Sequence, residues 1–111
     1  MELQNESQKD MKKAVNKRKN QKYILNLYVS GITPRSTLAI ENIRHICKEH
    51  LEGRYELEVI DIFQQPEEAR KEQIIAAPTL IKKIPLPLRK FIGDLSNTER
   101  ILAGLEIKKK S

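Results

Sequence analysis

The stretch Ala76-Ala77-Pro78-Thr79-Leu80-Ile81 decides the fold of this chain, because a proline directly precedes an apolar run with the composition of a buried strand. Proline lacks the backbone N–H that a sheet needs, so it is tolerated only at the start, the edge or a bulge of a strand. The stretch therefore predicts that Pro78 opens a strand, and the segments on either side decide where this strand lies.

Upstream of this stretch the pattern is strand, helix, strand. Residues 23–29 are apolar on both faces, as in a strand that is buried on both sides. Thr33 is expected to cap a helix with Pro34 in its first position, and Gly53 is expected to end that helix. Residues 55–62 alternate as a second strand. Two strands that are joined by a helix are expected to be parallel.

Downstream, a short helix is predicted from Pro66 to about Ile75, and strands 79–84 and 88–92 flank a turn at Pro85-Leu86-Pro87. Because the turn is short, these two strands are expected to pair antiparallel. A final helix then completes the order of a thioredoxin-like fold, an α/β domain with a mixed four-stranded sheet and three helices. In that scaffold the proline before the third strand is expected to have a cis peptide bond.

The last segment carries two conflicting signals. Ser96 and Glu99 form a capping box, which predicts a helix. Apolar residues also recur at every second position from Ile101 to Ile107, as in a strand, and Gly104 costs a helix interior about 1 kcal/mol. Signals that split this evenly make two packings of one sequence conceivable.

The net charge of +6 belongs to the two ends of the chain. Residues 1–22 carry +4, residues 108–110 carry +3, and residues 23–107 carry −1. We therefore expect a disordered or loosely ordered basic leader over residues 1–21, a folded domain over residues 22–107 and a basic tail over residues 108–111. Clustered lysines also bind phosphates, so nucleic-acid binding through these ends is an alternative, less favoured function.

The remaining composition argues against a membrane or secreted protein. The chain of 111 residues is expected to form one domain at most. It has no apolar run near the roughly 20 residues of a membrane helix, and its polar N-terminus is unlike a secretory signal. A single cysteine cannot form an internal disulfide, which fits a cytoplasmic location.

No catalytic group stands where thioredoxin chemistry needs one. That chemistry requires a low-pKa thiolate at a helix N-terminus and a second, resolving cysteine. The helix start here reads Thr33-Pro34-Arg35-Ser36, and Cys47 lies about three turns later, where a small buried hydrophobe is expected. His45 and His50 do not share a helix face. We therefore expect that the protein is not an enzyme and binds neither a cofactor nor a metal. The alternative is a thioredoxin-like oxidoreductase.

The predicted hairpin carries a cluster of positive charge at Lys82, Lys83, Arg89 and Lys90. Such charges protect an edge strand from pairing with other chains. They also set the rate and specificity of docking to a partner. We expect Lys82, Arg89 and Lys90 to contribute to partner binding.

Four sequence runs go beyond a generic scaffold. They are Tyr28-Val29-Ser30-Gly31 with Thr33-Pro34, Val59-Ile60-Asp61-Ile62, Ala77-Pro78-Thr79-Leu80, and Ile92-Gly93-Asp94-Leu95-Ser96-Asn97 with Gly104-Leu105. In this order and spacing they resemble the KaiB family of circadian clock proteins. The resemblance implies a non-catalytic regulator that binds a KaiC-like hexameric ATPase and kinase and modulates its phosphorylation state, in a circadian or stress-adaptation pathway.

The same resemblance implies further partners and a second state. A KaiA-type protein or a histidine kinase is a candidate partner, and self-association into a dimer or tetramer is expected. Members of the family switch between a thioredoxin-like monomer and a tetrameric ground state with its own fold, which is the alternative fold here. Pro78, Gly104 and Glu106 are expected to set this balance. Gly104→Ala is expected to favour the thioredoxin-like helix by up to about 1 kcal/mol. Glu106→Arg is expected to favour it by less, because a negative charge opposes the dipole at a helix C-terminus.

Overall fold

The computed structural model describes residues 21–93 and 95–107. The predicted basic tail and, Gln21 excepted, the predicted leader lie outside these residues. The elements in chain order are β1 (Tyr23–Val29), α1 (Pro34–His50), β2 (Tyr55–Asp61), α2 (Pro66–Lys71), β3 (Thr79–Ile84), β4 (Arg89–Ile92) and α3 (Thr98–Gly104). The predicted mixed four-stranded sheet with three helices is confirmed.

The sheet has the strand order β2-β1-β3-β4. Strand β1 pairs with β2 in parallel, and β3 pairs antiparallel with both β1 and β4, as expected. The partners of Ile24 and Leu25 are Ile84 and Lys82, so Lys83 is an extra residue in β3. A bulge of this kind increases the local twist of a sheet and re-aims the side chains beside it. The Ala77–Pro78 peptide bond before β3 is cis, as predicted.

Helix α1 starts as its sequence predicts. The Thr33 hydroxyl oxygen accepts a hydrogen bond from the Ser36 amide at 3.0 Å, and Pro34 occupies the first helical turn. The end differs from the expectation, because Leu51 is the C-cap and donates its N–H to the Cys47 carbonyl at 2.8 Å. Gly53 follows with φ +74° and turns the chain towards β2. Only glycine adopts this backbone region without strain.

The two short helices differ from the prediction at one boundary each. Helix α2 ends at Lys71 rather than near Ile75, because Gln73 adopts a positive φ of 55° and turns the chain out of the helix. Helix α3 is capped by Asn97, whose side-chain oxygen accepts from the Arg100 amide at 3.1 Å, so Ser96 is not its N-cap. The final segment is nevertheless a helix, and the alternative strand is not formed.

The core lies on both faces of the sheet. On the first face, β1 and β3 pack against α1 and α3 and bury most of the aliphatic side chains. On the second face, Tyr28, Ile60 and Ile81 form a smaller cluster beside α2. Both faces of β1 are therefore covered, which explains why its residues other than Asn26 are apolar on both faces.

Candidate protein-docking site

The N-terminus of α1, where thioredoxin chemistry would need a thiolate, holds a closed cap instead. The Thr33 hydroxyl donates to the Ser36 hydroxyl oxygen at 3.0 Å, in addition to accepting from the Ser36 amide. The Ser36 side chain is buried and satisfied by this cap. It therefore stabilises the helix start and offers no free nucleophile.

The single cysteine is equally unsuited to redox chemistry. Cys47 is fully buried in the core, and burial raises the pKa of its thiol to about 12. Thiol exchange needs the thiolate, which is scarce at neutral pH for such a group. The predicted role of Cys47 as a small core hydrophobe is confirmed.

An exposed apolar surface lies at the carboxyl end of the two parallel strands, beside this cap. Ile32 is 99% exposed and Phe63 is 72% exposed, and we call these two residues the apolar end. Asp61 holds two of its loops together, because one carboxylate oxygen accepts from the Gly31 amide at 3.2 Å and the Phe63 amide at 2.9 Å. Exposed apolar side chains on anchored loops are typical of a protein-binding surface.

A groove of about 180 Å³ lies between α1 and the cis-proline loop. Its lining is Arg35, Leu38, Ala39, Asn42, Pro78, Gly93, Leu95 and Ser96. Leu38 is 60% exposed at this groove and adds to the apolar character of the region. This surface was not predicted from the sequence. Large apolar residues within predicted turns were the available signal, because side chains in turns are seldom part of the core.

The basic hairpin differs from the expectation in one important residue. Arg89 and Lys90 are exposed, but the Lys82 side chain is fully buried on the face that packs against α1 and α3. The prediction of Lys82 as a surface docking charge is therefore wrong for this fold. Its Nζ has no hydrogen-bond partner among the described residues. Burial lowers the pKa of Lys82, the Glu106 charge raises it and the Arg89 charge lowers it.

The other two lysines of the hairpin are tied to the end of α2. Lys83 forms an ion pair with Glu72 at 2.9 Å, and the hydrogen bond in this pair is the main cause that raises the pKa of Lys83. Lys90 Nζ donates to the Glu72 carbonyl oxygen at 2.8 Å. Glu72 thus orients both lysines on the second face of the sheet. Arg89 leaves the opposite face and lies 4.0 Å from a Glu106 carboxylate oxygen.

The surroundings of the end of α3 change the effects that are expected of Gly104→Ala and Glu106→Arg. A Cβ on Gly104 would lie 2.5 Å from Cζ of Phe91 and still closer to its Cε1. Gly104→Ala therefore meets a buried ring and does not simply strengthen the helix. Glu106 faces Arg89 and the buried Lys82, so Glu106→Arg would place a third cation beside two. The role of Pro78, Gly104 and Glu106 in a balance between two folds stays a proposal.

Within residues 21–93 and 95–107 neither a metal site nor a membrane-spanning helix is present. No group of three or more potential ligands is placed to hold a metal ion there. In the same part of the chain no helix is long and apolar enough to cross a membrane.

The geometry defines a class of protein, a thioredoxin-like domain without a thiol at the redox position. The N-terminal domain of Synechococcus elongatus SasA is similar, with a TM-score of 0.64 and 21% identity over 77% of this chain and 80% of that one. Mitochondrial thioredoxin 3 of Saccharomyces cerevisiae has a TM-score of 0.62 and 15% identity over 78% and 80%. These likenesses confirm the thioredoxin-like fold.

Sequence similarity then gives the family. The KaiB domain model matches residues 26–107. Circadian clock protein KaiB3 of Synechocystis sp. is 50% identical over 84 residues, which cover 76% of this chain and 82% of that protein. Circadian clock oscillator protein KaiB of Nostoc punctiforme is 47% identical over 85 residues, which cover 77% and 82%. The chain belongs to the KaiB family, as its motifs predicted.

Proposed function

We propose that this chain is a non-catalytic regulator that binds a KaiC-like hexameric ATPase and modulates its phosphorylation state in a circadian or stress-adaptation pathway of the cytoplasm. The observation that carries the proposal is the KaiB match over residues 26–107, which spans nearly the whole described fold. Relatives are circadian clock proteins by name. The likeness to the SasA domain also favours clock partners, such as a KaiA-type protein or a histidine kinase.

The structure argues against the oxidoreductase alternative. A thioredoxin-type reaction needs two cysteines, whereas this chain has one. That cysteine is buried, and its pKa is raised to about 12. A protein-binding role therefore explains the retained scaffold better than a redox role does.

Two surfaces are available for docking, and they have different physical roles. The apolar end would be desolvated in a complex, and burial of large apolar side chains supplies most of the affinity at an interface. Arg89 and Lys90, on the hairpin strand, are exposed cations that would act on an acidic partner at longer range. Exposed interfacial charge mainly sets the association rate and the specificity. We place the apolar contact at the apolar end and the electrostatic contribution at the hairpin.

Reversing the hairpin charge is expected to slow association. In Arg89→Glu with Lys90→Glu, the association rate with a KaiC-type ring should fall about tenfold or more, because steering by attraction becomes repulsion. Added salt should then speed association of the variant, whereas it slows association of the wild type. Surface plasmon resonance at several salt concentrations measures both effects, with circular dichroism to verify folding.

Two further variants separate guidance from contact in the same assay. Arg44→Glu with Lys48→Glu makes the same charge change on the exposed side of α1 and should leave the salt dependence as in the wild type. Ile32→Ser with Phe63→Ser should speed dissociation and leave the salt dependence unchanged. If the hairpin and α1 reversals behave alike, only net charge matters, and Arg89 and Lys90 do not guide docking.

A further inference from the structure

Two cations lie side by side beneath the C-terminal end of α3. Lys82 and Arg89 are direct partners across β3 and β4, so their side chains leave the same face of the sheet. Arg89 is half-exposed, but Lys82 is fully buried and its Nζ has no hydrogen-bond partner among the described residues. Buried polar groups are nearly always hydrogen-bonded, and buried charges are nearly always paired. No described anion is therefore bonded to the Lys82 ammonium, although a buried charge needs one.

Among the described residues, the carboxylate of Glu106 is the one that acts on both cations. Glu106 Oε1 lies 4.0 Å from Arg89 Nη2, at the outer limit of an ion pair. Its charge acts on Lys82 across space, without a hydrogen bond to Nζ. The nearby Tyr23 hydroxyl donates its proton to the Leu105 carbonyl oxygen at 3.1 Å, which anchors the helix end above Lys82. Within the part of the chain that the structure describes, Lys82 and Arg89 thus have one carboxylate between two cations.

The backbone of Glu106 is held in place, but its side chain is not. Its φ of 60° is the left-handed conformation that follows a helix end, and the Glu106 and Ile107 amides donate to the Ala103 and Leu102 carbonyl oxygens at 3.1 and 3.0 Å. Its side chain is 60% exposed, so water competes for its carboxylate. The Glu106 side chain can therefore rotate away from Arg89 while the backbone of the helix end and the buried Leu105 stay in place.

We propose that Lys82 and Arg89 form an anion site that takes one carboxylate, with Glu106 as the resident group that an incoming carboxylate displaces. A guanidinium fork beside an ammonium suits a carboxylate, because charge-assisted hydrogen bonds from both can reach its two oxygens. The carboxylate comes from an acidic side chain of the docking partner. Only this source rests on the proposed function, since the site itself is a property of the isolated chain.

The neighbouring lysines show why this pair is different. Lys83 and Lys90 lie on the opposite face, and each already has an oxygen of Glu72 as its partner. They have no comparable deficit of negative charge. Lys83 is adjacent to Lys82 in the same strand, so Lys83→Met is a matched control for Lys82→Met.

The test is a titration of the whole chain with sodium acetate at constant ionic strength, followed by NMR of the backbone amides around Lys82, Arg89 and Glu106. Acetate should give saturable shifts in the wild type. Glu106→Gln should tighten acetate binding by up to about fivefold, the factor that corresponds to an exposed ion pair. Lys82→Met should abolish the saturable shifts, and Lys83→Met should keep them.

Acetate binding that is unchanged in Lys82→Met, or is not tightened in Glu106→Gln, would overturn the site. The source of the carboxylate is tested with a KaiC-type ring. Saturating acetate should weaken ring binding of the wild type severalfold and leave ring binding of Lys82→Met unchanged. If acetate binds but does not weaken ring binding, the assignment to a partner side chain is overturned. If acetate binds and the chain does not bind the ring at all, the anion site stands and the proposed function fails.

Discussion

Gly104→Ala is expected to destabilise the described fold by about 1–2 kcal/mol. Alanine in place of glycine favours a helix by up to about 1 kcal/mol, but forcing a methyl group into a packed core costs about 1–3 kcal/mol. The packing term is the larger one here, because the new Cβ would lie 2.5 Å from Cζ of Phe91, a side chain that is itself buried. Urea unfolding followed by circular dichroism measures the change.

Phe91→Leu supplies the control, because leucine lacks the outer ring atoms that the new methyl group would meet. In the Phe91→Leu background, Gly104→Ala should be neutral or stabilising by up to about 1 kcal/mol, as helix propensity alone predicts. The sign of the Gly104→Ala effect should therefore differ between the two backgrounds, with a coupling energy of about 1 kcal/mol or more. Equal effects in both backgrounds would show that the Phe91 ring yields freely, and the expectation drawn from helix propensity alone would be restored.

Lys82→Met is expected to stabilise the fold by about 1–3 kcal/mol at neutral pH. The buried Nζ has no hydrogen-bond partner among the described residues, and leaving such a group unsatisfied costs about this much. Methionine has a similar length and shape, and it removes the polar group without leaving a cavity. Thermal unfolding should show a rise in Tm, and Lys83→Met should show none, because it loses the 2.9 Å ion pair with Glu72.

The gain in stability from Lys82→Met is expected to depend on pH. Burial lowers the pKa of Lys82 below its ordinary value of 10.5 in the folded state. Between these two pKa values the unfolded chain binds more protons than the folded chain, so the wild type gains stability as pH rises. The advantage of Lys82→Met should therefore shrink from neutral pH towards pH 10.5. An advantage that stays constant over this range would show that Lys82 stays protonated in the folded state as fully as in the unfolded chain, so that burial does not lower its pKa.

The elements of the fold could be predicted because their signals are local. Thr33 and Pro34 mark the start of α1, and Pro78 marks the start of β3, through backbone properties that need no distant partner. The cap of α3 was misplaced by one residue for a related reason. Ser96 and Asn97 are adjacent, and both are good capping residues, so the choice between them depends on how the chain leaves β4.

The charges of the site could be predicted only in part. The alternation of β3 places Lys82 and Lys83 on opposite faces, but it does not say which face the end of α3 covers. Which face α3 covers depends on contacts between residues far apart in sequence, such as the hydrogen bond from the Tyr23 hydroxyl to the Leu105 carbonyl oxygen at 3.1 Å. The clash of a Cβ on Gly104 with Phe91 is non-local in the same way, and propensity contains no information about it.

The central claim, that this member of the KaiB family binds a KaiC-like ring, is tested most directly by sedimentation velocity. The chain is small, so a bound fraction would move with the hexamer and separate clearly from the free chain. The KaiB3 protein of Synechocystis sp. serves as the reference sample under the same conditions. We predict that the chain co-sediments with the ring in a saturable manner, and more weakly once Arg89 and Lys90 are reversed to Glu. A chain that stays at its free position at all ring concentrations, while KaiB3 co-sediments, would contradict the proposal.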